Sequence, residues 1–220
     1  MPSGLADVAV LLGGGVESTT LVRRFLAEGR AVVPVHVHCG LIWDDCESRY
    51  ARRFCEASAG AGLAPLVEIR LPLHDFLAAH WAATGNHVPR AGAPSSDLEI
   101  PLRNLTLLSF ALHRVKGTGI STVALGTTAD NHYCDGSREY FDLCEQVLSL
   151  EAGRPVTVLT PLIGMTKTDV IRCSDKSTLA LSFSCVNPRG DLHCGQCIKC
   201  GKRQAAFQSA GIADPTIYAA

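Results

Sequence analysis

The stretch DVAVLLGGGVESTTLVRRFL, residues 7–26, constrains the fold more than any other part of the chain. Val8–Leu12 is an unbroken apolar run, short enough for a strand buried on both faces. Gly13, Gly14 and Gly15 follow at once. From Thr19 to Glu28 the residues Leu21, Val22, Phe25 and Leu26 fall on one helical face, and Gly29 stops the pattern. A buried strand that turns through glycines into a helix opens a parallel α/β sheet. The turn is also suited to an anion. Glycines admit positive φ and let a ligand reach the backbone, and the helix turns its free N–H groups and positive dipole end to the same spot. Ser18, Thr19 and Thr20 add hydroxyls.

The rest of the chain keeps this rhythm. Ala31–Val37, Leu66–Leu71, Thr122–Leu125 and Val156–Leu159 read as further strands, and Asp44–Ala59, Asn104–Val115 and Ser137–Leu150 as helices. Lys167–Cys173 opens a last helix. The expected class is therefore α/β, with a Rossmann-like parallel sheet of five strands flanked by helices. Such sheets bind ligands at the carboxyl ends of their strands, so the loops after strands one, two, four and five should line a site. Pro72–Leu102 breaks the rhythm as a long loop in which only Phe76–Trp81 looks helical, and loops of that length are commonly functional.

The chain has 220 residues, which suits one sizeable domain with a small appendage. Its net charge of −1 supplies no electrostatic footprint for direct nucleic-acid binding and no basic membrane patch. No run reaches the ~18 apolar residues of a membrane span. The N-terminus has no export signal, so a cytoplasmic location is expected. Ten cysteines are present, and Cys185, Cys194, Cys197 and Cys200 crowd one short segment. Four thiolates at this spacing suit tetrahedral Zn²⁺. The CxxCxxC run alone is also compatible with an iron–sulfur cluster. Gly190, Gly195 and Gly201 are expected to supply turns near the ligands, and the other six cysteines are expected to be free thiols.

Three phosphate loops compete for the glycine turn. A Walker loop ends in Gly-Lys-Ser/Thr, which is absent. A dinucleotide fingerprint places its last Gly where Ser18 stands. The pyrophosphate loop of N-type ATP pyrophosphatases, Ser-Gly-Gly-x-Asp-Ser, aligns with Gly13-Gly14-Gly15-Val16-Glu17-Ser18. On the loop alone a plain strand-to-helix turn stays open. Considered singly, Arg103 and Lys167 read as solvated charges, Asp135 as turn chemistry, His36 and His38 as core histidines, and Trp43 and Trp81 as packing residues.

Together with SCVNPRGDLHCGQCIKCGKRQAAFQSAGIADPTIY, IPLRNLTLLSFA, ALGTTADNHYCDGSREYF and TPLIGMTKTDVI, this loop resembles the 7-cyano-7-deazaguanine synthases. These are queuosine-pathway enzymes of the pyrophosphate-loop ATPase group, and the resemblance runs from Val8 to about Tyr218. It implies a nucleotide-binding fold of the adenine nucleotide alpha hydrolase (HUP) type over residues 1–180, with a zinc-binding segment over 181–220 packed on it. It implies an ATP-dependent ligase that adenylates 7-carboxy-7-deazaguanine, adds ammonia, and activates the amide again to reach the nitrile. Leu12, Gly13, Gly14, Gly15, Val16, Glu17, Ser18 and Thr19 would hold the pyrophosphate, with Lys167 and Mg²⁺ neutralising it. Arg103 would take a carboxylate or phosphate, and Asp135 and Asn104 would read the base. His36, Val37 and His38 would border adenine, and the four cysteines would bind Zn²⁺. A homodimer with no direct nucleic-acid contact is implied as well.

The chain departs from the family pattern near the nucleotide. Gly13 replaces Ser, Glu17 replaces Asp, HCGLIWDDCE replaces a Tyr-Gly-Gln-Arg-His type of stretch with only Gly40 and Glu47 echoing it, and Ser137 stands where Arg is common. These changes motivate two alternatives: a ligase that adenylates another carboxylate, such as a related base or a protein terminus, and a degenerate nucleotide-binding module.

Overall fold

The computed structural model describes residues 7–60, 62–71 and 76–219. Five strands form one sheet: β1 (Val8–Leu11), β2 (Val32–His38), β3 (Val67–Arg70), β4 (Thr122–Ala124) and β5 (Thr157–Leu159). All neighbours are parallel, in the order β3-β2-β1-β4-β5. The chain moves outward one way from β1 and then returns to build the other half. The connections after β1 and β4 therefore leave to opposite sides, and a crevice opens at the carboxyl ends of these strands.

The helices are α1 (Val16–Ala27), α2 (Asp44–Ala57), α3 (Trp81–Thr84), α4 (Arg103–Arg114), α5 (Arg138–Ala152), α6 (Lys167–Cys173), α7 (Lys176–Ala180) and α8 (Ile198–Ala210). Strand alternation assigns them to two layers. Val8, Val10 and Leu12 pack with Leu21, Val22 and Phe25 of α1, Phe54 of α2, Ile171 of α6 and Phe207 of α8. Ala9 and Leu11 face the other way, toward Leu108 and Leu112 of α4 and Phe141 and Leu148 of α5. Fully burying one such side chain is worth roughly 1.5–3 kcal/mol, so the sheet is held from both faces. Among the described residues no helix is long and apolar enough to cross a membrane.

Four local expectations are corrected. Helix α1 starts at Val16, not Thr19, because Gly15 is its extended N-cap and Val16 already packs into the core. The helical stretch expected at Phe76–Trp81 lies instead at Trp81–Thr84, where His80 caps the start by accepting from the Ala82 N–H and Gly85, at φ +74°, ends it. Lys167–Cys173 is not the last helix. Asp175 accepts from the Thr178 N–H to cap α7, and Cys197 caps α8. Gly201 makes no turn. It lies within α8, where a Cβ would stand 2.8 Å from the Ala91 Cβ, so the glycine allows the helix to touch the long loop.

The C-terminal segment is tied to α7 and to the glycine loop by hydrogen bonds. Arg203, completely buried, donates to Ser182 Oγ at 2.9 Å, the Leu179 carbonyl at 3.2 Å and Thr216 Oγ1 at 2.6 Å. The Phe183 N–H donates to the Gly14 carbonyl at 2.7 Å, which joins the approach to the cysteines directly to the glycine loop.

Candidate functional site

A cavity of about 620 Å³ opens in the switch-point crevice. That is within the usual range for small-ligand sites, roughly 300–1,000 Å³. Leu12, Gly13, Gly15, Glu17 and Ser18 line it from the glycine loop. Gly14 sits behind them at φ +72°, and a Cβ there would stand 3.1 Å from the Glu47 carbonyl, so only glycine suits both the turn and its close approach to α2. Val16 and Thr19 do not reach the cavity. Val16 packs in the core, and the Thr19 hydroxyl donates to the carbonyls of Gly15 and Val16. The loop after β4 presses against the same turn, since a Cβ on Gly126 would come within 2.9 Å of Glu17.

Lys167 enters from the loop after β5. Thr166 and Asp169 form a reciprocal capping box that fixes the start of α6, and the Lys167 N–H donates to Asp130 at 2.5 Å. The Lys167 ammonium then meets Glu17 Oε1 at 2.5 Å. Burial pushes the Glu17 carboxyl up, but the adjoining Lys167 charge overrides it and holds the group below the ordinary carboxylate value. The longer Glu at this position thus reaches across the loop to the lysine.

Arg103 is the first residue of α4 and faces the cavity, and its buried Nε has no hydrogen-bond partner among the described residues. Asn104 Nδ2 donates to the Asp135 carbonyl at 2.9 Å, and the Asn104 N–H lies 3.3 Å from Asp135 Oδ2. The structure thus brings Arg103, Asn104 and Asp135 into one corner of the cavity. His36 and Val37 border the cavity, whereas His38 is turned to Glu68 on β3 at 3.1 Å. His36 Nδ1–H donates to the Leu12 carbonyl at 2.9 Å; burial lowers its proton affinity, so the ring is neutral with Nε2 as the bare acceptor. Trp43 and Trp81 stack on one another, with centroids 5.5 Å apart, and both belong to the cavity wall.

Five charged residues of the wall, Glu47, Glu99, Asp130, Lys199 and Lys202, are not among the site residues expected from the sequence. Glu47 stands with Oε2 3.5 Å from where a Gly13 Cβ would be, so its carboxyl borders the place where the family's Ser side chain would begin. Burial raises it to about 8, against the pull of Arg103. Lys199 and Lys202 come from α8. Lys202 Nζ donates to Ser95 Oγ at 2.7 Å. Only Glu47 left a trace in the sequence, as an acid after strand two. Lys199 lies inside the CxxCxxC motif, whose spacing metal binding accounts for without it.

The four cysteine sulfurs are buried and lie within 4.8 Å of one another. Cys185 and Cys197 are 3.8 Å apart, and Cys194 and Cys200 3.9 Å. Four thiolates about 2.3 Å from one tetrahedral ion would be separated by about 3.8 Å. Backbone N–H groups of Asn187 and Cys194 point at the Cys185 sulfur, each at 3.3 Å, and stabilise thiolate charge there. The donors therefore fit a closed tetrahedral metal site. Cys185 also lines the cavity, so this knuckle forms one of its walls.

The family model described as Queuosine biosynthesis protein QueC matches residues 7–211. The 7-cyano-7-deazaguanine synthase of Thermosynechococcus vestitus is 32% identical, covering 96% of this chain and 94% of its own. That of Methanothrix thermoacetophila is 30% identical, covering 94% and 96%. The enzyme of the same name from Leptospira interrogans is 26% identical, covering 93% and 88%. A family model that takes in the glycine loop, the Arg103 corner and all four cysteines shows that this chain belongs to the QueC family of queuosine biosynthesis proteins.

Proposed function

We propose that this chain is an ATP-dependent ligase that converts 7-carboxy-7-deazaguanine and ammonia to 7-cyano-7-deazaguanine. One observation carries the proposal: a single cavity joins a pyrophosphate-type loop and its Glu17–Lys167 pair to the Arg103–Asn104–Asp135 corner, in a chain whose relatives bear that name. A carboxylate oxygen of the substrate attacks the α-phosphorus of ATP, and the bond to pyrophosphate breaks. Gly13, Gly15 and Ser18 would receive the departing pyrophosphate, with Lys167 neutralising its charge. Ammonia then attacks the acyl carbon and AMP leaves, giving the amide and a proton. The amide oxygen then attacks the α-phosphorus of a second ATP and releases pyrophosphate, and loss of AMP and of the two N–H protons gives the nitrile. Arg103 would orient the carboxylate, while Asn104 and Asp135 meet the base edge. Glu17 is the carboxylate that would help to hold Mg²⁺, which would supply charge neutralisation to the phosphates. Zn²⁺ on the four cysteines, with no open position, would be structural.

In this proposal residues 1–180 carry the nucleotide and 181–220 the metal segment. A homodimer in the cytoplasm completes it.

The test is to incubate the metal-loaded chain with Mg-ATP, ammonium and 7-carboxy-7-deazaguanine and to separate nucleotides and bases. AMP with the nitrile is expected, and Lys167→Ala should lower the rate by ~100-fold or more. AMP with the amide alone would remove the second activation from the proposal, and no AMP would overturn it. The stacked Trp43 and Trp81 wall, with Trp43 inside the stretch that departs from the family pattern, favours a second reading in which another planar carboxylate is adenylated. A panel of carboxylates read by AMP release separates the two.

A further inference from the structure

Four cations border the cavity: Arg103, Lys167, Lys199 and Lys202. Two of the three ammonium groups are already engaged, Lys167 by Glu17 at 2.5 Å and Lys202 by Ser95 at 2.7 Å. Lys199 has no hydrogen bond or ion pair among the described residues, although it is only half-exposed and shares the wall with Gly13, Gly15, Glu17 and Ser18. An ammonium with no direct hydrogen-bond or ion-pair partner in a partly closed pocket is poorly solvated and is satisfied by an anion. It sits in the first turn of α8, between two of the clustered cysteines, so the knuckle fixes its backbone. Gly13, in the same cavity, lacks the hydroxyl that the family pattern would aim at a phosphate.

We infer that Lys199 is a phosphate-binding residue of this cavity, a second cation for the pyrophosphate end of a nucleoside triphosphate that complements Lys167 and offsets the missing donor at Gly13. Its ammonium donates to a phosphate oxygen, whereas the free carboxylate and base are left to Arg103, Asn104 and Asp135. The four-cysteine knuckle then has a role beyond holding the C-terminal segment, because it delivers a ligand-binding cation to the glycine loop. The inference rests on the phosphate-site part of the proposed function and is independent of which carboxylate is activated.

The test titrates the metal-loaded full chain with inorganic pyrophosphate and, separately, with AMP by calorimetry. Lys199→Gln should weaken pyrophosphate by ~10-fold or more while AMP changes by less than about twofold, since a hydrogen bond between charged groups is lost for one ligand only. Lys199→Arg should retain most of the pyrophosphate affinity. Unchanged pyrophosphate binding by metal-loaded Lys199→Gln, or a parallel loss of both ligands, overturns the inference. Should Lys199→Gln lose its metal, a crystal structure of the unaltered chain with a non-hydrolysable ATP analogue decides. Lys199 Nζ within about 3.2 Å of a phosphate oxygen supports the assignment, and a separation beyond about 4 Å from all of them overturns it. Pyrophosphate binding through Lys199 without nitrile formation would sink the substrate assignment alone; nitrile formation with an indifferent Lys199→Gln would sink only this inference.

Discussion

At the scale of single residues, Leu102 is the clearest misfit. It precedes Arg103 as the N-cap of α4 and holds φ +59° and ψ 13°, the left-handed region, while its side chain is 58% exposed. A left-handed conformation costs an ordinary L-residue roughly 1–2 kcal/mol, against roughly 0.5–1 kcal/mol for the extra freedom a glycine loses on folding. Little apolar burial is at stake at an exposed position. Leu102→Gly is therefore expected to stabilise the chain by about 0.5–1 kcal/mol, a rise of roughly 1–4 °C in Tm for a chain of this size. A thermal melt that shows a fall in Tm would mean that the Leu102 side chain makes a contact worth more than the strain. The glycine loop was legible for a complementary reason. At Gly14 the required φ and the close approach of α2 both demand glycine, so the sequence carries the constraint openly. Lysines carry no such mark. Lys167 was recognised only through its Thr-Lys motif, and Lys199 had no motif of its own.

At the scale of elements, β3 is an edge strand of four residues with no fully buried side chain, so its attachment depends on side-chain bonds. Glu68 supplies them, accepting from Ser48 at 2.6 Å and from Arg52 at 2.5 Å on α2, and meeting His38 of β2 at 3.1 Å. Burial alone would raise its carboxyl. The Ser48, Arg52 and His38 hydrogen bonds outweigh burial and lower it from 4.5 to about 2. A carboxyl lowered in the folded state adds stability that is complete above its unfolded value and fades as pH falls through the folded one. Glu68→Gln should then cost on the order of 1–3 kcal/mol near neutral pH, after allowing for solvent screening. Urea unfolding should show the gap between variant and parent narrowing as pH drops from about 4.5 toward 2. A pH-independent gap would assign the loss to geometry and not to charge. The strands themselves were legible because apolar runs bounded by polar turns have few other uses. Helix α8 was not, although Ile198, Ala206 and Phe207 bury one face of it, because the cysteines at its start had already been assigned to metal. The misplaced helix at Phe76 failed for a different reason: its apolar residues gave a period but no stop, and the stop came from Gly85.

At the scale of the molecule, the cysteine knuckle connects three parts that are remote in sequence. Ala91 N–H donates to the Gln196 carbonyl and Ile198 N–H to the Pro89 carbonyl, each at 2.9 Å, which pins the long loop to the knuckle. Arg203 and Phe207 anchor α8 in the core, and Phe183 bonds the glycine loop. Without a metal, four buried sulfurs lose the charge that holds them together, and either mutual repulsion or protonation loosens the cluster. The strain would pass along α8 to Lys199 and through the 183–185 segment to Gly14, both at the cavity. Removing the metal with a strong chelator under reducing conditions should therefore lower the Tm and weaken pyrophosphate binding in the same step, and added Zn²⁺ should restore both. Cys200→Ser should reproduce the chelated state without chelator. If the chelated chain keeps its Tm but loses pyrophosphate affinity, the knuckle positions Lys199 without bracing the fold. If both survive, the four thiols do not act as a metal site, and their 3.8–3.9 Å spacing would have to be explained by packing alone.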